Sequence, residues 1–299
     1  MAEFFQHIID GISVGAIYAL IALGYTMVYG VLKLINFAHG DVFMVGAMIG
    51  WYVARWTGES RDPSIPGALL ITLASMAVCG CLGFVIERAA YRPLRNSPRL
   101  NSLITAIGVS FFLEYGGQYV FGPNPRVFTV LPRHPGVHLG PVSLGYVDIV
   151  TVIVSVALMI VLQRIVFHTK MGTAMRAVSF NSTVASLMGV NIDRVISFTF
   201  VLGSVLAAVA GILYASKYPS VQPLMGLMPG LKAFVAAVLG GIGNVPGAML
   251  GGLVLGLAEQ VVSGYLSSSW RDAVAFAILI LVLLVRPTGL LGRGEAEKV

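Results

Sequence analysis

HTKMGTAMRAVSFNSTVASLMGVNIDR, His168 to Arg194, is a polar and net basic stretch inside a chain that is otherwise almost entirely of membrane grade. That contrast decides the fold. Of the 299 residues, 57% are hydrophobic and only 11% charged, and the mean hydropathy is +0.87. A soluble domain would carry about 25% charged residues. The chain therefore reads as an integral membrane protein, and the long segment from 168 to 194 as a loop between spans.

Working outward from that loop, a bilayer core of about 30 Å needs roughly 20 apolar residues per helix, at about 1.5 Å per residue. Runs of that length lie at 8–32, 37–54, 66–86, 101–121, 147–167, 195–215, 248–264 and 270–285. The apolar run at 231–243 is short, and GGIGNVPG (Gly240 to Gly247) interrupts any helix after it. Irregular backbone cannot face lipid, so this break has to be buried in protein, line a cavity or lie at the membrane surface. The expectation is an all-α, polytopic membrane helical bundle, with about eight transmembrane helices plus one short or re-entrant segment, forming a single transmembrane domain over residues 1–299.

The Lys and Arg residues orient it. With the loops after spans one, three and five and the C-terminal tail facing the cytoplasm, that side holds twelve of the nineteen, most densely at Arg88, Arg92, Arg95 and Arg99. By the positive-inside rule the N-terminus is then outside and the C-terminus inside, and the Pro-rich loop 122–145 is external. Met1 to Asp10 carries acidic Glu3 and Asp10 rather than a basic leader, so the first apolar run reads as a true span. The net charge of +6 follows from the inner loops and calls for no nucleic acid.

Catalytic signatures are missing. There is no G-x-x-x-x-G-K-[ST] loop, so ATP is not bound here in the P-loop manner. GGIGNVP lacks the last glycine and the strand–helix setting of a dinucleotide fingerprint. His134 and His138 are four residues apart, but Pro135 and Gly136 oppose the helix that would align them on a metal. Cys79 and Cys81 alternate within an apolar span and read as packing. No cofactor is expected.

Small residues at i, i+4 recur at Gly11 and Gly15, Gly46 and Gly50, Gly247 and Gly251, and Gly252 and Gly256, spacings that let helix backbones approach closely. Ionisable groups inside the spans must face protein or water. His39 and Asp41 in INFAHGD, Glu114 and Glu259 are these groups, with Asn36 as an alternative cap for the second span and Asp41 near that helix's positive end. In the loop, Thr173 is positioned to cap one short helix, and Asn181 or Ser182 a second that ends at Gly189. Phe180, Val184, Leu187 and Met188 then fall on one ridge, apolar and flanked by polar residues, suited to a membrane surface or a partner's groove.

Three stretches carry a resemblance. SVGAIYALIALGYTMVYGVLKLINFAHGDVFMVGA (Ser13 to Ala47), GTAMRAVSFNSTVASLMGVNIDRV (Gly172 to Val195) and AFVAAVLGGIGNVPGAMLGGLVLGLAE (Ala233 to Glu259) resemble the LivH-type membrane permease of branched-chain amino acid ABC importers. The resemblance runs over almost the whole chain. It implies a permease subunit, not an enzyme, in a bacterial inner membrane. A second related permease would complete a heterodimer, two cytoplasmic ABC ATPase subunits would power it, and a periplasmic binding protein would deliver a branched-chain, hydrophobic amino acid.

It further implies that 168–194 is the coupling loop that enters the ATPase, with Gly172, Arg176, Asn181, Ala185 and Gly189 as its characteristic positions and no acidic residue beside Ala185. Loop 122–145 would be periplasmic. Asn36, His39, Asp41, Glu114, Gly241, Asn244 and Glu259 are the candidates for the translocation path. Two alternatives stand beside this reading, an ABC permease for urea or short amides and an ion-coupled secondary transporter, which would share broken helices and buried carboxylates.

Overall fold

The computed structural model describes residues 2–60, 62–95, 97–132, 136–139 and 142–292. Its helices, in chain order, are α1 (Ala2–Leu32), α2 (His39–Thr57), α3 (Ile65–Ile86), α4 (Arg99–Phe121), α5 (Tyr146–His168), α6 (Lys170–Phe180), α7 (Ser182–Leu187), α8 (Ile192–Lys217), α9 (Leu227–Gly240), α10 (Val245–Tyr265) and α11 (Arg271–Val285). A π turn (Glu87–Tyr91) and a 3-10 turn (Arg92–Leu94) follow α3. Among the described residues, strand is confined to β1 (Arg126–Val127) paired with β4 (Ser220–Val221), and to a hairpin of β2 (Val137–Leu139) and β3 (Val142–Leu144). The protein is thus a helical polytopic membrane protein. The hairpin lies in the Pro-rich loop, and His134 lies outside the described residues.

The expected eight spans are not all recovered by the same measure. Among the described residues, six helices are long and apolar enough to cross a membrane: α1, α3, α5, α8, α10 and α11 with its preceding turn. α2 and α4, at 19 and 23 residues, match them in length. These two helices carry Asp41 and Glu114. The 14-residue α9 is the short piece that the sequence indicated.

Side chains sort the helices into an inner and an outer set. The apolar window of α1 is 78% buried and that of α8 72%, whereas that of α11 is 11% buried. α1 and α8 therefore form the axis of the bundle. α3, α4, α5 and α11 turn Leu, Ile, Val and Phe outward, among them Leu69, Phe112, Ile153 and Leu284. Such faces suit hydrocarbon rather than water.

The small-residue steps lie where helices cross. A Cβ built on Gly256 would stand 2.3 Å from the Gly15 Cα, and one on Gly11 2.9 Å from the Leu257 Cα, so α1 and α10 meet backbone to backbone. Gly46 does the same for α2 against Ala208 of α8, at 2.6 Å, and Gly251 for α10 against the Ala236 carbonyl of α9, at 2.0 Å. Alanine at any of these places would force the pair apart.

Helix starts follow local chemistry. Ser64, Asn191 and Asn244 each accept a hydrogen bond from the backbone N–H three residues ahead. The loop helices differ from expectation at one cap. Thr169, not Thr173, caps α6 by accepting from Gly172 N at 3.0 Å. The reason is the corner after α5, where a Cβ on Gly172 would lie 2.2 Å from the Ile165 carbonyl, so the chain turns there and the helix begins earlier. Asn181 caps α7 as anticipated, accepting from Val184 N at 3.0 Å. Gly189, at φ 84°, closes α7: its N–H donates to Ser186 and that of Val190 to Ala185.

Candidate functional site

Two helices begin inside the bundle, and their starts meet. After α1 ends at Leu32, the chain passes through Lys33 at φ 55° and runs back along the bundle to His39. A Cβ on Gly24 would stand 2.1 Å from His39 Nε2, so α2 starts level with a residue eight positions before the end of α1, about 12 Å deep. The returning segment is held by the Tyr91 hydroxyl, which donates to Asn36 Oδ1 at 3.0 Å, and by His39 N donating to the Asn36 carbonyl at 3.1 Å. Asn36 thus fixes the re-entry instead of capping α2, whose N-cap is Ala38 with no side-chain bond.

The other start is that of α9. A Cβ on Gly226 would lie 2.1 Å from the Gly40 carbonyl oxygen, and one on Gly230 2.9 Å from the Gly40 Cα. Only glycine at these positions lets the two first turns touch. Beside the contact lies a cavity of about 180 Å³, bounded by Tyr25 of α1, Asp41 of α2, Ser110 and Glu114 of α4, and the first turn of α9. Ile107, Phe111 and Leu231 give it apolar walls.

Asp41 and Glu114 are 2% and 5% exposed, both line this cavity, and their carboxyl groups hydrogen-bond to each other. The Ser110 hydroxyl donates to Asp41 Oδ2. Among the described residues, neither carboxyl makes an ion pair. The other two buried carboxylates each have one: Glu87 with Arg95, and Glu259 with Lys232. A hydrogen bond between two carboxyl groups needs a shared proton, and that bond offsets part of the cost of burying the two acids together.

The remaining candidates fall elsewhere. His39, 1% exposed, fills a slot between α1 and α8 formed by Gly24 and Gly203, with its ring edge-on to Tyr25 at 4.8 Å. Glu259 lies 2.8 Å from Lys232, both buried, and the same ammonium reaches the half-exposed Asp272 at 2.7 Å, so α9, α10 and α11 share one charged cluster. Gly241 and Asn244 are at the far end of α9. There the C-terminal turn covers the glycine-rich break: Leu290 N and Leu291 N donate to the carbonyls of Leu239 and Gly240, and Asn244 Nδ2 donates to Leu291 O at 2.6 Å.

Sequence reasoning missed Tyr25, Ser110, Gly226, Gly230 and Lys232. Lys232 left a signal as a lone cation at the edge of an apolar run, 27 residues from the acid it meets, and Gly226 and Gly230 left one as a further i, i+4 glycine step.

The loop between α5 and α8 projects two short helices. Met175, Val178 and Ala185 turn inward, while Phe180, Val184, Leu187 and Met188 are 96%, 53%, 82% and 80% exposed. Arg176 is exposed, lies over the Phe167 ring at 5.5 Å, and donates to the Phe167 carbonyl at 3.5 Å and to Thr173 Oγ1 at 3.4 Å. The loop's exit is fastened. Asp193 accepts from both Arg92 and Arg95, Arg95 also reaches Glu87, and Ser197 Oγ donates to Glu87 at 2.6 Å. Among the described residues, no set of three or more His, Cys, Asp or Glu is gathered that could hold a metal ion.

These features agree with the proteins the chain resembles. LivH of Escherichia coli K12, described as a high-affinity branched-chain amino acid transport system permease protein, is 43% identical over 99% of this chain and 98% of its own length. BraD of Pseudomonas aeruginosa, with the same description, is 42% identical over 99% and 98%. Among solved structures, PsaBC from Streptococcus pneumoniae in complex with Fab covers 96% of this chain and 91% of its own, at 13% identity and a TM-score of 0.45. A family model described as the branched-chain amino acid transport system / permease component matches residues 7–283, and the chain belongs to that family.

Proposed function

We propose that this chain is one permease subunit of an ATP-driven importer of branched-chain amino acids, and that its cargo passes the cavity lined by Asp41 and Glu114. Family membership supports the transport class. The observation that carries the path is the junction of two helix starts within the bundle. Interrupted helices place backbone N–H groups and polar side chains where a spanning helix offers only apolar surface.

In this reading residues 1–299 form one permease domain, and loop 168–194 is the contact with a cytoplasmic ATPase. The exposed ridge of Phe180, Val184, Leu187 and Met188 supplies the apolar area of a helix-in-groove contact, and Arg176 the adjoining charge. Asp193, through Arg92 and Arg95, ties that contact to the end of α3 and the start of α8, so a push on the loop reaches a central helix. The N-terminus and loop 122–145 are periplasmic, and the C-terminus is cytoplasmic. A second related permease, two ATPase subunits and a periplasmic binding protein complete the assembly in the inner membrane.

Reconstitution tests this. Proteoliposomes holding this chain, its partner permease and the ATPase pair should accumulate leucine, isoleucine or valine when the binding protein is outside and ATP is inside. Uptake driven by an ion gradient without ATP would overturn the reading.

A further inference from the structure

The start of α8 is gripped along one face. Asp193, Ser197 and Phe200 stand at i, i+4 and i+7 on that helix, and all three meet the turns that follow α3. Asp193 accepts from Arg92 and Arg95, Ser197 Oγ donates to Glu87 at 2.6 Å, and the Phe200 ring packs on that of Tyr91, with centroids 5.1 Å apart. Arg95 closes the set by reaching Glu87. Contacts spread over two turns of helix make the start of α8 and segment 87–95 one body, so a displacement at the exit of loop 168–194 moves both.

That body has an arm. Residues 87–91 form a π turn, a rare geometry that recurs at functional sites, and Glu87 and Tyr91 at its two ends are both buried. Glu87 is spent on α8 and Arg95. The Tyr91 hydroxyl donates instead to Asn36 Oδ1 at 3.0 Å, 55 residues away in the chain. Asn36 accepts at its carbonyl from His39 N at 3.1 Å, so this bond ends on the backbone that starts α2, whose Gly40 and Asp41 line the cavity. Packing does not account for the hydroxyl, since a phenylalanine ring would fill the same place against Phe200.

We infer that Tyr91 is a positioning residue for transport, whose hydroxyl passes the displacement of loop 168–194 to the start of α2 and so links the ATPase contact to the cavity. This rests on the proposal that the loop docks on an ATPase and that cargo passes the cavity. It adds one named bond through which hydrolysis acts on the path.

The test places the full complex of both permeases, both ATPases and the binding protein in liposomes, and reads leucine uptake and ATP hydrolysis in the same vesicles. Tyr91→Phe removes one oxygen and keeps the ring. ATP hydrolysed per leucine taken up should rise at least about fivefold, the low end of ordinary coupling between sites, while the hydrolysis rate stays within about twofold of wild type. Asn36→Leu breaks the same bond from the other side and should raise the ratio likewise. The double variant should be no worse than the worse single one, as expected of two residues acting through one bond. A purely structural role would lower the thermal midpoint and reduce uptake and hydrolysis together, leaving the ratio at its wild-type value.

A wild-type ratio in both single variants, or a double variant whose effect is the product of the two, would overturn the inference. Wild-type vesicles separate the two claims. ATP-driven uptake by wild type with an unchanged ratio in the variants removes only this inference, whereas no ATP-driven uptake by wild type removes the reading beneath it.

Discussion

Lys232 on α9 and Glu259 on α10 are held 2.8 Å apart, both buried, and the same ammonium lies 2.7 Å from Asp272 at the start of α11. One cation thus joins three helices. Removing one partner of a buried pair strands the other, at about 3–5 kcal/mol. Lys232→Met strands the buried Glu259 and should lower the thermal midpoint in detergent more than Glu259→Gln, which leaves the half-exposed Asp272 to pair with the ammonium. The double variant Lys232→Met/Glu259→Leu should recover part of the loss. Equal midpoints for Lys232→Met and wild type would show that the cluster adds nothing.

Gly24 admits His39, and there is no spare room. Alanine at Gly24 should cost about 1–3 kcal/mol, as overpacking does, because its Cβ would sit 2.1 Å from the imidazole. His39→Ala in the same background should relieve that clash and restore expression in the membrane. If Gly24→Ala alone expressed and melted as wild type, the slot would be looser than the geometry indicates.

The Arg92, Arg95, Asp193 and Glu87 network mixes exposed and buried charge. The Asp193 side chain is 46% exposed and that of Glu87 is 0%. Asp193→Asn should cost at most about 1 kcal/mol and its effect should fade as salt is raised. Glu87→Gln should cost about 3–5 kcal/mol at any salt concentration. Thermal melts at low and high salt compare them directly.

The ridge on α6 and α7 is exposed, so changing it should disturb a partner and not the fold. Leu187→Asp and Arg176→Glu should leave the melting behaviour of this chain within about 0.5 kcal/mol of wild type. Recovery of the ATPase on co-purification should fall, or its hydrolysis should become uncoupled from uptake. Normal ATP-driven uptake by both variants would remove the loop from the coupling role.

Asp41→Asn and Glu114→Gln keep the shape of the cavity and remove charge. Loss of one partner in a buried charged contact costs about 2 kcal/mol or more, so ATP-driven leucine uptake should drop by at least about tenfold. Asp41→Glu should restore more activity than Asp41→Asn. Retention of full uptake by the Asn and Gln variants would place the cargo elsewhere.

Much of the fold was legible because membrane insertion depends on local quantities. Apolar runs of sufficient length mark α1, α3, α5, α8, α10 and α11, and small residues at i, i+4 mark the crossings later found between α1 and α10, α2 and α8, and α9 and α10. Asn181 and Gly189 bound α7 because each acts on backbone within three or four residues. Thr173 failed as a cap for a tertiary reason, since the close packing of Gly172 on the end of α5 moved the helix start to Lys170.

The candidate site was legible in part. Asp41 and Glu114 stood out as acids within apolar surroundings, but so did His39 and Glu259, and composition ranks all four alike. The fold separates them. Asp41 and Glu114 hydrogen-bond to each other in the wall of a cavity, while Glu259 is neutralised by Lys232 and His39 is packed by two glycines. The glycine-rich break was legible as a break, but not that residues 288–292 cover it.

By itself, then, the sequence determined that the chain lives in a membrane, where its helices run and which residues let them touch, since each of these follows from hydropathy or spacing along a few turns. Only the tertiary structure decided which buried charges are matched and which are not, because pairing depends on contacts between helices far apart in the chain, and those contacts leave no local pattern to read.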